Sequence, residues 1–256
     1  MISVLAHPRG VRTRPGLLQP RLVSRRGHRA HVALVAGGAL LIGGDEISVE
    51  IAVEAGCTLR LEDIGGTVAY PSRGEASRFD VRIALGEGAR LVWESHPFVV
   101  AEGADVRRRT EVVLGAGAAL CLRETLVLGR TGEQGGRLRT LLQVHQEDGV
   151  PVLVEDLALD GLAPRPGILG DASVLDTVLV AGLRPGPAAG AGTDAGGGAG
   201  PGGGVGPGGR AGADAPAGVT VLELARPGAL ARSRGRATHD SAVAPVWAAW
   251  SQEVAA

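Results

Sequence analysis

Between Val81 and Arg130 the chain repeats one unit, and that repeat limits the folds open to it. The first copy reads Val81, Ile83, Leu85, a turn Gly86-Glu87-Gly88-Ala89, then Leu91, Trp93 and Glu94. The second reads Val112, Leu114, a turn Gly115-Ala116-Gly117-Ala118, then Leu120, Leu122 and Glu124. An earlier copy runs Val49, Ile51, Val53, the turn Glu54-Ala55-Gly56-Cys57, then Leu59, Leu61 and Glu62. Apolar residues at every second position line one face of a strand, and the turn glycines supply positive φ for a reversal. Each unit therefore reads as a β-hairpin. The turns recur roughly every thirty residues, a period at which supersecondary units stack. Since an isolated hairpin cannot bury its own face, the predicted class is mainly β: stacked antiparallel β-hairpins in layered, β-helix-like sheets, with a few short helices, one at the C-terminus.

The remaining chain divides by pattern. Residues 1–20 carry three prolines and little periodicity, so a flexible or edge-packed segment is expected there. Residues 21–183 hold the β-rich core, with further strands at Leu138–Val144 and Val152–Leu159; Asp171–Leu183 fits either a strand or a short helix. Residues 184–218 are mostly Gly, Ala and Pro without apolar period and read as a disordered insertion. Residues 219–256 return to order with a strand at Val219–Leu224, a helical reading at Ala229–Arg236, and a helix begun by Pro245.

The 256 residues contain 26 basic side chains, all arginine, against 27 acidic ones, and only 2% are aromatic. Balanced charge and scarce aromatics argue against a nucleic-acid partner. No apolar run reaches a membrane-spanning length, so no membrane partner and a cytoplasmic location are expected. Cys57 and Cys121 read as buried free thiols. The glycine pairs Gly37-Gly38 and Gly43-Gly44 lack the Lys-Ser/Thr of a phosphate loop and indicate close backbone packing instead.

Candidate chemistry is sparse. Glu62, Glu94 and Glu124 close the three units at almost one offset and would line a common edge or channel, or end as solvated strand termini. His96 lies among Glu94, Ser95 and Glu102 and is either structural or a ligand; Asp63 adds a second carboxylate beside Glu62. His28 and His31 would point to opposite faces of a strand. Trp247 and Trp250 share a helix face and serve either docking on their own domain or a partner. No nucleophile elbow, phosphate loop or zinc-type cysteine pair is present.

The combination Gly37-Gly38 with Gly43-Gly44-Asp45; Thr67, Tyr70 and Ser72; Pro97, Gly103 and Ala104; and Leu126-Val127-Leu128-Gly129-Arg130 followed by Gly132-Glu133 resembles the UreD/UreH family of urease accessory proteins. The similarity covers residues 20–160 and continues to Val246-Trp247. Glu62-Asp63-Ile64 stands where family members usually carry a Thr-Thr-Gln stretch, and Val68 stands in place of a lysine. The resemblance implies a non-catalytic scaffold that binds apo-urease and, with UreF and UreG, delivers nickel through an internal tunnel, with no tightly bound cofactor but transient nickel(II). On that reading Glu62, Asp63, Glu94, His96 and Glu124 are the candidates for the nickel path, and Tyr70, Arg130, Trp247 and Trp250 for partner contacts. Two other readings stay open: a β-solenoid hydrolase or lyase using Glu94 and Glu124 as paired carboxylates, and a metal-independent assembly scaffold.

Overall fold

The glycines Gly56, Gly88 and Gly117 adopt φ of 66°, 62° and 62°, so the three repeat turns share one left-handed conformation that glycine adopts without a Cβ penalty. The computed structural model describes residues 1–38, 40–72, 74–165, 167–187 and 216–256. The expected insertion at 184–218 lies almost wholly outside the described residues.

The chain opens with β1 (Ile2–His7), β2 (Gly10–Arg14), β3 (Leu18–Arg26) and β4 (Arg29–Ala36). The repeat follows as β5 (Glu46–Val53) and β6 (Thr58–Ile64), then β7 (Thr67–Ala69), β8 (Ser77–Leu85) and β9 (Arg90–Glu94). After β10 (Phe98–Val100) come β11 (Asp105–Leu114), β12 (Ala119–Leu128), β13 (Arg137–Gln146) and β14 (Pro151–Asp160). The last elements are β15 (Val174–Ala181), β16 (Val219–Glu223), β17 (Gly228–Gly235) and a single α-helix among the described residues, α1 (Ala244–Ala255). One seven-stranded sheet runs β14-β13-β11-β8-β5-β1-β2; the facing sheet runs β16-β17-β15-β12-β9-β6-β4-β3, with β7 and β10 attached beside β12.

The mainly β, layered, β-helix-like architecture is the one the repeat predicts, but its units are arches, not hairpins. Within each unit the two strands lie in opposite sheets, and each pairs in parallel with its equivalent one unit away: β5 with β8 and β8 with β11 in one sheet, β6 with β9 and β9 with β12 in the other. The alternation is the same for both solutions. In an arch the two apolar faces meet across the core, whereas in a hairpin the backbones would meet. Parallel stacking extends to the turns: Gly56 N donates to Glu87 O at 2.9 Å and Gly88 N to Ala116 O at 2.8 Å. True antiparallel hairpins occur at the ends of the stack, as β1–β2, β3–β4 and β13–β14.

Residues 1–20 are placed by this stack. Ile2, Val4 and Ala6 are buried, and β1 pairs in parallel with β5, so the segment read as flexible or edge-packed forms the edge of a sheet and contributes to the core. The ambiguous stretch at 171–183 is a strand buried on both faces, which explains its unbroken apolar run. The helical reading of Ala229–Arg236 is overturned: β17 occupies it, pairing with β15 and β16. Alanine favours helices, yet here Ala229 and Ala231 are small residues beneath α1, and packing overrides propensity. α1 starts at the turn containing Pro245 and lays Val246, Trp247, Trp250 and Val254 on the outer face of the second sheet, against Val92, Cys121, Val178 and Val180. Both cysteines are free and buried.

The stacked turns set different tolerances for their two glycines. A Cβ on Gly115 would lie 2.9 Å from backbone atoms of Leu85 and Gly86, whereas one on Gly117 meets nothing within 4 Å. Gly117→Ala is expected to cost about 1 kcal/mol from the left-handed backbone alone. Gly115→Ala is expected to cost about 3 kcal/mol because two backbones must separate. Urea midpoints of the two variants check the order; equal losses would show that the turns do not stack this tightly.

Candidate functional site: a polar line between the sheets

Strand alternation fixes which face each candidate occupies, and one residue of register separates the three glutamates. Glu62 and Glu94 lie six residues after their turn glycines, Glu124 seven after Gly117. Glu62 pairs with Glu94 across β6 and β9, but the residue opposite Glu94 on β12 is Arg123. A slip of one residue reverses the face. Glu62 and Glu94 therefore point outward, and Glu124 points between the sheets.

The outward row is a network of charged and polar side chains. His31 Nε2 lies 3.1 Å from Glu62 Oε1, and Arg60 Nη2 lies 3.7 Å from Glu94 Oε2. Arg123 spans Glu94 at 3.3 Å and Asp176 at 2.9 Å. Asp176, 1% exposed, also accepts from Thr125 Oγ1 at 3.1 Å and Ser241 Oγ at 2.6 Å. Burial acts to lower the Arg123 pKa, but the hydrogen bonds and charge of Asp176 outweigh it and raise the value. The row ties three strands and the approach to α1 together. Glu94 and Glu124 leave opposite faces of their sheet.

The inward groups form a different arrangement. Asp63 Oδ1 accepts from Trp93 Nε1 at 3.1 Å, at a cavity of about 20 Å³ lined also by Ser95, His96, Phe79, Phe98 and Arg108. Such a volume admits one water. Arg108, 5% exposed on β11, forms an ion pair with Glu124 and sits 5.4 Å and 5.1 Å from the ring centroids of Phe79 and Phe98. The two rings meet edge to face at 5.9 Å. Arg108 Nε has no hydrogen-bond partner, so the cation depends on Glu124 and the aromatic faces. Beyond Glu124 lies a second cavity of about 20 Å³ lined by Thr140, Glu155, Thr177 and Arg232. There Arg232 holds Glu155 through two hydrogen bonds of 2.9 Å and 2.8 Å and donates to Thr177 at 3.1 Å.

Each cavity shares lining residues with a recess at the surface. Ser95 and His96 also line an outer recess of about 190 Å³ with Glu94, while Arg232 also lines an open recess of about 1000 Å³ with Arg234 and Arg236. A line of polar groups thus crosses the space between the sheets, divided midway by the Arg108–Glu124 pair. Of the five residues predicted for an ion path, Asp63 and Glu124 lie on this line and His96 at its mouth. Glu62 belongs to the outer row, and Glu94 belongs to that row and to the mouth. Among the described residues, no three His, Cys, Asp or Glu side chains converge as a metal cage.

The predicted partner residues also separate. Ala69, Val100 and Leu128 lie side by side on β7, β10 and β12, so the loops that follow bring Tyr70, Glu102 and Arg130 to one rim. Glu133 fixes that rim, accepting from the backbone of Glu102 and Arg130 at 3.1 Å and 3.0 Å and from Arg130 Nε at 2.8 Å. The Arg130 hydrogen bonds hold the Glu133 carboxyl down at about 2. Leu41, at a left-handed φ of 57°, accepts from Tyr70 N at 3.0 Å and supports the same rim. Trp247 and Trp250 are elsewhere: they are 7% and 1% exposed, and Trp250 Nε1 donates to Gly186 O at 3.1 Å. Their rings dock the helix on its own sheet and leave little surface for a partner.

Arg108, Glu155 and Arg232 escaped the sequence reading, although the signal was present. Val106, Arg108, Thr110 and Val112 alternate along β11, which places the arginine on the apolar face.

Burial raises the Asp63 carboxyl above its ordinary value, against the opposing hydrogen bond from Trp93. The folded state therefore keeps this proton longer than the unfolded chain does, and stability falls as pH rises from about 3.9 through the raised value. Asp63→Asn retains an acceptor for Trp93 and removes that loss. The variant is expected to be the more stable protein in urea at pH 7, with the difference vanishing near pH 3; a constant difference at both values would contradict the assignment.

A sequence model described as UreD urease accessory protein matches residues 11–256. The chain is 43% identical over 174 residues to a Streptomyces griseus protein named urease accessory protein UreD 1, covering 67% of this chain and 68% of that one. It is 37% identical over 194 residues to the urease accessory protein UreD of Parafrankia sp., covering 67% and 64%. It is 36% identical over 177 residues to the Streptomyces coelicolor protein of the same name, covering 67% and 68%. The matched stretches thus span about two thirds of these relatives' lengths.

Proposed function

We infer the function of this chain from its kinship: it belongs to the UreD family of urease accessory proteins. It serves as an accessory protein in urease maturation, a non-catalytic cytoplasmic scaffold that binds apo-urease and works with UreF and UreG. Its cargo is nickel(II), which passes between the sheets to the urease active site. Family membership carries this reading. The polar line supports the route, because oxygen ligands met singly or in pairs hold a divalent ion weakly and release it onward.

On this reading the path enters at the mouth bearing His96 and Glu94, passes Asp63, and meets Arg108. A buried arginine repels a passing cation, and the Arg108–Glu124 pair is closed in this structure. Passage requires Arg108 to swing from Glu124, freeing that carboxylate to take the ion, after which Glu155 beside Arg232 is the next oxygen donor. Glu62, bound to His31 on the outer face, has no part in the route. The rim of half-buried Tyr70 and exposed Arg130, braced by Glu133, is the partner contact.

The experiment co-expresses the chain with the apo-urease subunits, UreF and UreG, and measures co-purification and nickel-dependent urease activity. Removing one member of the buried ion pair would strand a charge and cost about 3–5 kcal/mol, so the informative variant replaces both, Arg108→Met with Glu124→Leu. This double variant is expected to fold and to co-purify with urease, yet to activate it several-fold more slowly, while Glu62→Gln activates normally. Full activation by the folded double variant would favour the metal-independent scaffold. Loss of co-purification in the unaltered protein would remove the maturation role itself.

A further inference from the structure

The first 44 residues contain seven arginines and no Asp or Glu, while the remainder has nineteen arginines against 27 carboxylates. The fold gathers this excess at one place. β2 and β3 are the terminal strands of the two sheets at the same end of the stack, and Arg25 Nη2 on β3 donates at 2.8 Å to Pro8 O in the β1–β2 turn. Arg9, Arg12, Arg14, Arg21, Arg25 and Arg26 are all exposed. None of these six has a carboxylate partner among the described residues, whereas twelve arginines beyond residue 45 each have one. The seventh, Arg29, donates to Ala256 O at 2.9 Å.

The same end leaves backbone and apolar surface open. β3 pairs with β4 on one side only, and Leu17, Leu22 and Val23 are 49%, 54% and 55% exposed. An open strand edge presents alternating N–H and C=O groups, a pattern complementary to another extended polypeptide. We propose that the β2–β3 end is a docking surface for an acidic, extended segment of a partner protein, which adds a strand to β3, seats apolar side chains against Leu22 and Val23, and pairs its carboxylates with Arg21, Arg25 and Arg26.

Other polyanions fit less well. The first 44 residues include no Phe, Tyr or Trp on which bases could stack. Phosphates accept hydrogen bonds but do not donate to the open carbonyls, and a lipid interior would leave those carbonyls unsatisfied. The proposal stands independently of the maturation reading, since it concerns neither the polar line nor the Tyr70 rim.

The test uses the full chain and a fluorescein-labelled, end-capped peptide of alternating glutamate and valine, nine residues long to match β3. Anisotropy is expected to show saturable binding that weakens with added salt. Arg21→Glu, Arg25→Glu and Arg26→Glu together should lower affinity about tenfold or more, while the three Lys replacements stay within about threefold. Far-UV circular dichroism of each variant guards against loss of fold, and Arg12→Glu with Arg14→Glu on β2 gives a second, independent reversal with the same expected direction. The peptide with alternate backbone N–H groups methylated should not bind. Equal binding of the methylated peptide would overturn strand addition. Tighter binding of duplex DNA of equal charge, or of phosphatidylserine vesicles, would overturn the protein partner, and unchanged affinity in folded charge-reversed variants would overturn the surface.

Discussion

Parallel pairing of each strand with its equivalent one unit away is the constraint from which the rest of the structure follows. It aligns β5, β8 and β11 in one sheet and β6, β9 and β12 in the other, so the face of every side chain is set by its distance from the turn glycine. Leu59, Leu91 and Leu120 stack in one interior row because they share that distance. Glu124 is brought inside by the same rule, as its place in the outward row goes to Arg123. A single residue of spacing thus separates a solvated strand end from an interior charge.

The interior charges are expensive for a β stack of this size. Burying an ion pair returns less than an apolar pair of similar volume would, because both charges lose water. Arg108 recovers part of this from Glu124 and from the faces of Phe79 and Phe98, and Arg232 from two bonds to Glu155 and one to Thr177. Asp63 recovers less, and burial moves its carboxyl toward the protonated form. By contrast the outward network around Asp176 is fully bonded and joins β12, β15 and the segment before α1. The outer charges secure architecture, while the inner ones persist at a cost that a purely structural core would have no reason to bear. That contrast supports the route proposed through the inner set.

What the sequence disclosed was local. Turn glycines, alternating strands, Val219–Glu223 and the helix initiated by Pro245 could be read because each depends on neighbouring residues. Pairing could not, since an arch and a hairpin share one alternation and differ only in what lies thirty residues away. The same non-local choice hid β17, whose alanines are small because α1 crosses them, and β1, which contains no repeat signal yet joins β5. At the candidate site, Asp63 and His96 could be singled out because they sit at strand ends among polar neighbours. Arg108 was not, although its alternation with Val106 and Thr110 marked it as inward, because three successive arginines suggest a solvated stretch until the face is assigned. Tyr70 and Arg130, distant in sequence, meet because β7, β10 and β12 end in register.

A stack of arches has two ends, and each exposes strand edges that can recruit further chains. Ordinarily such edges are blunted by charge and by irregular pairing, and β3 shows both: its arginines, and a register shift between Leu22 and Ser24. Charge of one sign blunts an edge only toward copies of itself. Six exposed arginines without a carboxylate partner among the described residues repel another basic edge, so they guard against β3 pairing with β3, but they attract an acidic strand. The arrangement that prevents uncontrolled stacking therefore also selects its partner, and solubility and recognition at this end rest on the same side chains.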